Sequence, residues 1–111
     1  MRITFNNKDL KKLAENDRHR QKKLGKVMAD KLKVRLDAIR FAETLEELRH
    51  VPGKFHELRE NRKGQWACSL GAQYRMVFTP HENPIPVDED GIYKGTEIHG
   101  IEIIEIGKDY H

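Results

Sequence analysis

A histidine, several arginines and a closing Asp-Tyr-His stand in an order suited to proton transfer at a phosphate. His56 and Arg59 lie in FHELRENRKGQW, Arg75 is the one charge in YRMVF, and the chain closes on Lys108-Asp109-Tyr110-His111. Cleaving RNA without a metal takes a base for the 2′-hydroxyl proton, an acid for the departing 5′-oxygen, and cations around the phosphate as charge builds. Histidine suits both proton roles because its ordinary pKa of ~6.5 lies near working pH. Arginine suits the phosphate because its planar fork reaches two oxygens. Arg59, Arg62, Lys63 and Trp66 are candidates for holding substrate, the last by stacking on a base, although a lone tryptophan in an alternating strand is more often core. A rival use of His56, Asp109 and His111 is a two-histidine, one-carboxylate metal site. Nothing in their spacing makes a ligand motif and the neighbouring cations oppose a divalent ion, so no metal or other cofactor is expected.

These residues need elements to hold them, since a chain end frays unless tied down. HGIEIIEIG (99–107) interleaves four isoleucines with Glu102 and Glu105, a β-branched run of strand length that leads directly into the tail. KFHELRE, QWACSL and QYRMVFT also read as strands, separated by NRKG and by Gly71 as hairpin signals. Alternation alone does not fix which face His56 takes, and three residues on, Arg59 falls on the other face of a regular strand. Arg75, a cation in a strand centre, is expected to face solvent or an anion. RITF (2–5) reads as an opening strand, and Asn6 or Asn7 caps a helix through KDLKKLAEN. DRHRQKKLG (17–25) reads as a basic turn. A second helix from about Lys26 to Ala42 carries Met28, Leu32, Leu36 and Ile39 at helical spacing. Thr44 with Glu47 forms a capping box for a short third helix that Pro52-Gly53 stops. Residues 80 to 97, with three prolines and Asp88-Glu89-Asp90, read as a surface loop. The fold class that follows is α+β: an N-terminal strand and a helical pair packed on a mainly antiparallel sheet of about four to five strands.

At 111 residues the chain is expected to form one domain, 1–111, with one core. The single Cys68 leaves no internal disulfide, and no apolar run approaches the ~18 residues of a membrane span or the apolar stretch of a signal peptide, so a cytoplasmic protein is expected. The net charge of +3 is unevenly spread. Residues 1–41 carry 13 Lys and Arg against 5 Asp and Glu, whereas residues 42–111 carry 8 against 13. The first part is therefore suited to a polyanion or an acidic partner, or is simply a solvated helical face.

In these blocks the sequence resembles the HigB-type toxins of the RelE/ParE superfamily. FHELRENRKGQW, AQYRMVF and the terminal EIGKDYH follow that family's order of a Leu-His strand, a basic residue, a turn, Gly-x-Trp, an aromatic-Arg-hydrophobic strand and a closing Asp-Tyr-His. The resemblance implies a bacterial type II toxin: a metal-independent endoribonuclease that cuts mRNA on the ribosome, against ribosomal RNA, and is silenced by a HigA-like helix-turn-helix antitoxin. It also implies roles. His111 or Asp109 would be the base and His56 the acid, Tyr110 would orient the substrate, and Arg59 and Arg75 would hold the phosphate. Two departures stand out. Glu60-Asn61-Arg62 replaces the usual Gly-Asp-Arg turn, and the 80–97 loop is longer than in the smallest members. The alternatives are a ParE-like toxin that acts on DNA gyrase without cutting RNA, and an inactive module that only binds antitoxin. The terminal Asp-Tyr-His set separates the first from the leading reading, and His56 together with that full tail argues against the second.

Overall fold

A computed structural model describes residues 1–71 and 73–108. Five strands form one sheet in the order β1-β5-β4-β3-β2, with β1 (Arg2–Phe5), β2 (His56–Glu57), β3 (Trp66–Gly71), β4 (Tyr74–Pro80) and β5 (Gly100–Lys108). β1 runs parallel to β5, and every other pair is antiparallel. The strand, helical pair and mainly antiparallel sheet expected from sequence are all present.

Helix α1 (Lys8–Glu15) starts at Asn7, whose side chain accepts from the Leu10 amide at 2.9 Å. Asn16 ends α1 and opens α2 (Asp17–Phe41), accepting from the His19 amide at 2.8 Å. Residues 17 to 24 are thus helical, where the sequence reads as a turn. The charges there stay on a solvated face, and the one that is buried, Arg20, is satisfied by the last carbonyls of α1: it donates to Leu13 and Ala14 at 3.0 and 2.9 Å and pairs with Asp17. The glycine signal is real but acts as a break inside α2, because Gly25 takes φ +77° with open space around its α-carbon.

Beyond the break, Ala29, Leu32, Leu36 and Ile39 are buried, while Met28 packs at the margin of the core. Leu32, Leu36 and Ile39 share one core with Trp66, Cys68, Leu70, Met76, Phe78, Ile101 and Ile103, so the helices cover one face of the sheet. The third helix is a 3-10 segment, Leu45–His50; the Thr44 side chain makes no capping bond, although the Glu47 carboxylate does accept from the Glu43 amide at 3.0 Å. Within the 80–97 loop, Val87 bridges Tyr93, and a 3-10 turn covers Gly95–Glu97. Among the described residues no helix is long and apolar enough to cross a membrane.

Candidate active site

Register decides which side chains share the face turned away from the helices. Residues paired across antiparallel strands point the same way. His56 pairs with Ala67, Ala67 with Val77, and Val77 with Glu105; one step along, Ser69 pairs with Arg75 and Arg75 with Gly107. The alternate positions Trp66, Cys68, Met76 and Phe78 belong to the core. His56 and Arg75 therefore lie on one face with β3 between them, about 12 Å apart at Cα from strand spacing and rise. Both line one cleft of about 280 Å³ together with Lys54, Leu58, Ser69 and Tyr74. An extended arginine and an imidazole at that separation can meet on a single phosphate.

The face of His56 is settled by its pairing with Ala67. Phe55 is buried in the core and His56 is exposed on the other face, and Leu58, two residues on, shares that face and lines the cleft while its amide donates to the Gln65 carbonyl at 2.7 Å. His56 Nδ1 lies 2.7 Å from the Lys54 carbonyl. A carbonyl only accepts, so Nδ1 carries the hydrogen and Nε2 is left to take or give the working proton. The carbonyl is aimed by a tight reversal in which Gly53 and Lys54 take φ +128° and +57°. Gly53 also anchors β3 through its carbonyl, which accepts from the Ser69 amide at 2.8 Å, while Arg35 of α2 donates to the Ser69 carbonyl at 2.9 Å.

The remaining candidates divide. Arg59 precedes the 3-10 turn Glu60–Arg62 and, like Lys63, is outside the cleft lining; Lys63 flanks a separate hollow with Glu57 and Tyr93. Arg62 is already engaged, donating from Nε to Gln65 at 2.7 Å and pairing with Glu105 at 3.1 Å. Trp66 is a correction: it is 1 % exposed, packs near Phe78 at 6.5 Å between ring centres, and has the Arg49 guanidinium 4.6 Å over its ring, so it cannot stack on a substrate base. Asp109, Tyr110 and His111 lie outside the described residues. β5 ends at Lys108, opposite the cleft residue Tyr74. Among the described residues, no group of three or more His, Cys, Asp or Glu could hold a metal ion. Sequence reasoning passed over Lys54 and Ser69, although counting back from the Gly71 reversal sets Ser69 opposite Arg75.

Among known proteins, no curated one matches this chain, whereas solved structures do. The YoeB–YefM complex from Staphylococcus aureus is 23% identical with a TM-score of 0.54, over 100% of this chain and 97% of that one. The YoeB dimer from the same organism is 23% identical with a TM-score of 0.55, again over 100% and 97%. The YoeB/ParE toxin from Agrobacterium tumefaciens is 17% identical with a TM-score of 0.52, over 99% and 100%. At these identities the likeness speaks to the fold. The HigB-like toxin family, described as the RelE-like toxin of type II toxin-antitoxin system HigB, matches residues 3–89, a span that includes His56 and Arg75 and stops short of the tail. The chain belongs to that HigB-like toxin family.

Proposed function

We propose that the protein is a metal-independent endoribonuclease that cuts mRNA on the ribosome and so arrests translation. The observation that carries this reading is the shared cleft: His56 and Arg75 line it on the open face of the sheet. In the reaction, a base takes the proton of the RNA 2′-hydroxyl, the 2′-oxygen attacks phosphorus, and the bond to the 5′-oxygen breaks. The products are a 2′,3′-cyclic phosphate and a 5′-hydroxyl. His56, protonated at both nitrogens, gives the Nε2 proton to the leaving oxygen and keeps its bond to the Lys54 carbonyl. Arg75 neutralises the charge that accumulates on the non-bridging oxygens. Asp109 or His111 acts as the base and Tyr110 orients the substrate, an assignment supported by the sequence resemblance and by β5 ending beside the cleft. The partner is a HigA-like antitoxin; the YoeB–YefM assembly among the similar folds supports a partner of that kind.

The test is induction of wild type, His56→Ala, Arg75→Ala and His111→Ala in bacteria with mRNA 5′ ends mapped by primer extension. New ends and growth arrest in the wild type, lost in the variants, are expected. Arrest with intact mRNA and inhibited DNA supercoiling would overturn the assignment in favour of a gyrase-directed toxin, and the absence of both would mark an inactive antitoxin-binding module.

A further inference from the structure

Helix α2 exposes apolar side chains where a surface helix ordinarily carries polar ones. Val27 is 79 %, Val34 55 % and Phe41 87 % exposed, and they recur every seven residues. Seven residues are nearly two helical turns, so the three form one ridge rising about 10 Å per step, on the side opposite Ala29, Leu32, Leu36 and Ile39. At its N-terminal end the ridge runs into an apolar notch of about 360 Å³ lined by Leu24, Val27, Met28 and Leu70. Single exposed apolar residues are ordinary, but an aligned ridge ending in a notch marks a contact surface.

Charge selects the occupant. From Lys26 to Phe41, α2 carries five cations and two carboxylates, and both carboxylates are spent locally, Asp30 on Lys26 and Asp37 on Arg40. Lys31 and Lys33 remain on the exposed surface. Two copies laid ridge to ridge would bring these cations together, and an apolar ridge offers nothing to a phosphate backbone. We infer that the Val27–Val34–Phe41 ridge docks an acidic amphipathic helix of a partner protein. Apolar side chains of that helix pack between the ridge residues, one fills the notch, and its carboxylates face Lys31 and Lys33. The notch gives the docked helix a functional reach, because Leu70 and Gly71 line it at the end of β3 whose neighbour Ser69 lines the candidate cleft. Identifying the partner as the antitoxin rests on the reading above; the surface and the chemistry of its occupant do not.

The test places photoreactive benzoylphenylalanine at position 34 or 41, and at Glu89 as a control, in the full chain co-expressed with a HigA-like helix-turn-helix antitoxin. After irradiation the crosslinked segments are sequenced by mass spectrometry. Adducts from 34 and 41, absent from 89, to a segment with apolar residues three and four apart and an acidic flank are expected. Adducts to a second copy of this chain, adducts to RNA, or none at either position would overturn the proposal. Val34→Lys with Phe41→Lys should weaken the complex about tenfold or more without lowering the melting temperature; unchanged affinity would sink the docking surface. Crosslinking reads no cleavage, so failure here leaves the ribonuclease reading standing, and loss of that reading leaves the ridge untouched.

Discussion

The hydrogen bond from His56 to the Lys54 carbonyl is the most consequential single interaction at the cleft, because it assigns the proton on a ring that could otherwise carry it on either nitrogen. Nitrogen-15 spectra of the neutral imidazole should therefore report the Nδ1–H tautomer; an Nε2–H tautomer would show that the Lys54 carbonyl does not hold the ring. His56→Gln has no comparable acid, and single-turnover cleavage should fall about 10²- to 10⁴-fold while the melting temperature holds. A smaller loss would shift the acid to another group. Cys68 offers a separate test of the core beneath the cleft. Burial pushes its thiol up from the ordinary 9.0 to about 12, against a smaller opposing pull from Arg35. A raised folded pKa means that the thiol's contribution to stability is complete below pH 9 and lost as pH climbs toward 12. The urea midpoint of wild type should drop further between pH 9 and 11 than that of Cys68→Ala; parallel slopes would mean that the thiol is accessible when folded. At this scale the sequence was readable by residue type and not by depth. Trp66 alternates correctly along β3, but alternation does not say which of the two faces is covered, and Trp66 fell on the covered one.

Elements were legible wherever a long period was present, as in α2 beyond Gly25 and in β3, β4 and β5. They were misread where local signals competed. KFHELRE has the alternation of a seven-residue strand, yet the ladder is only His56–Glu57 with one further bond from the Leu58 amide to the Gln65 carbonyl, because Glu60 takes φ +57° and a 3-10 turn carries the chain off the sheet. DRHRQKKLG has turn-like composition, yet Asn16 caps it as a helix and the α1 carbonyls satisfy Arg20. The parallel docking of β1 on β5 has no local signature at all, since it joins residues nearly a hundred positions apart. The join between helix layer and site runs through Gly53. A β-carbon there would lie 2.7 Å from Arg35 Nε and 2.9 Å from the Phe55 ring, on a backbone angle that disfavours side chains. Gly53→Ala should cost about 1–3 kcal/mol, from strain and from displacing Arg35 off the Ser69 carbonyl. Because Lys54 is the next residue, His56 should shift as well. Urea denaturation together with the His56 imidazole resonances checks both halves: a stable variant with an unmoved His56 would show the reversal to be dispensable.

Across the whole molecule, the cleft and the basic segment stand on opposite sides of one sheet. Residues 1–41, with 13 cations against 5 carboxylates, supply β1 and the helices on the covered face, whereas the cleft opens on the other. The uneven charge was visible in the sequence; its separation from the candidate catalytic side chains was not, because that depends on which face the helices cover. A short RNA strand threaded through the cleft cannot at the same time run along the helices, so charge on the helices should govern capture of a large polyanion more than the chemical step. Lys11, Lys12 and Lys22 are exposed and lie apart from the Val27–Val34–Phe41 ridge. Replacing all three by alanine should weaken binding to ribosomal RNA and flatten the plot of log affinity against log salt by about 2 units, since each single-strand phosphate that a lysine neutralises adds about 0.7 to the slope. Cleavage of a short RNA at saturating enzyme should keep its rate. A fall in that saturated rate would join the basic face to the chemistry, and an unchanged salt slope would leave the lysines as nothing more than a solvated helical surface.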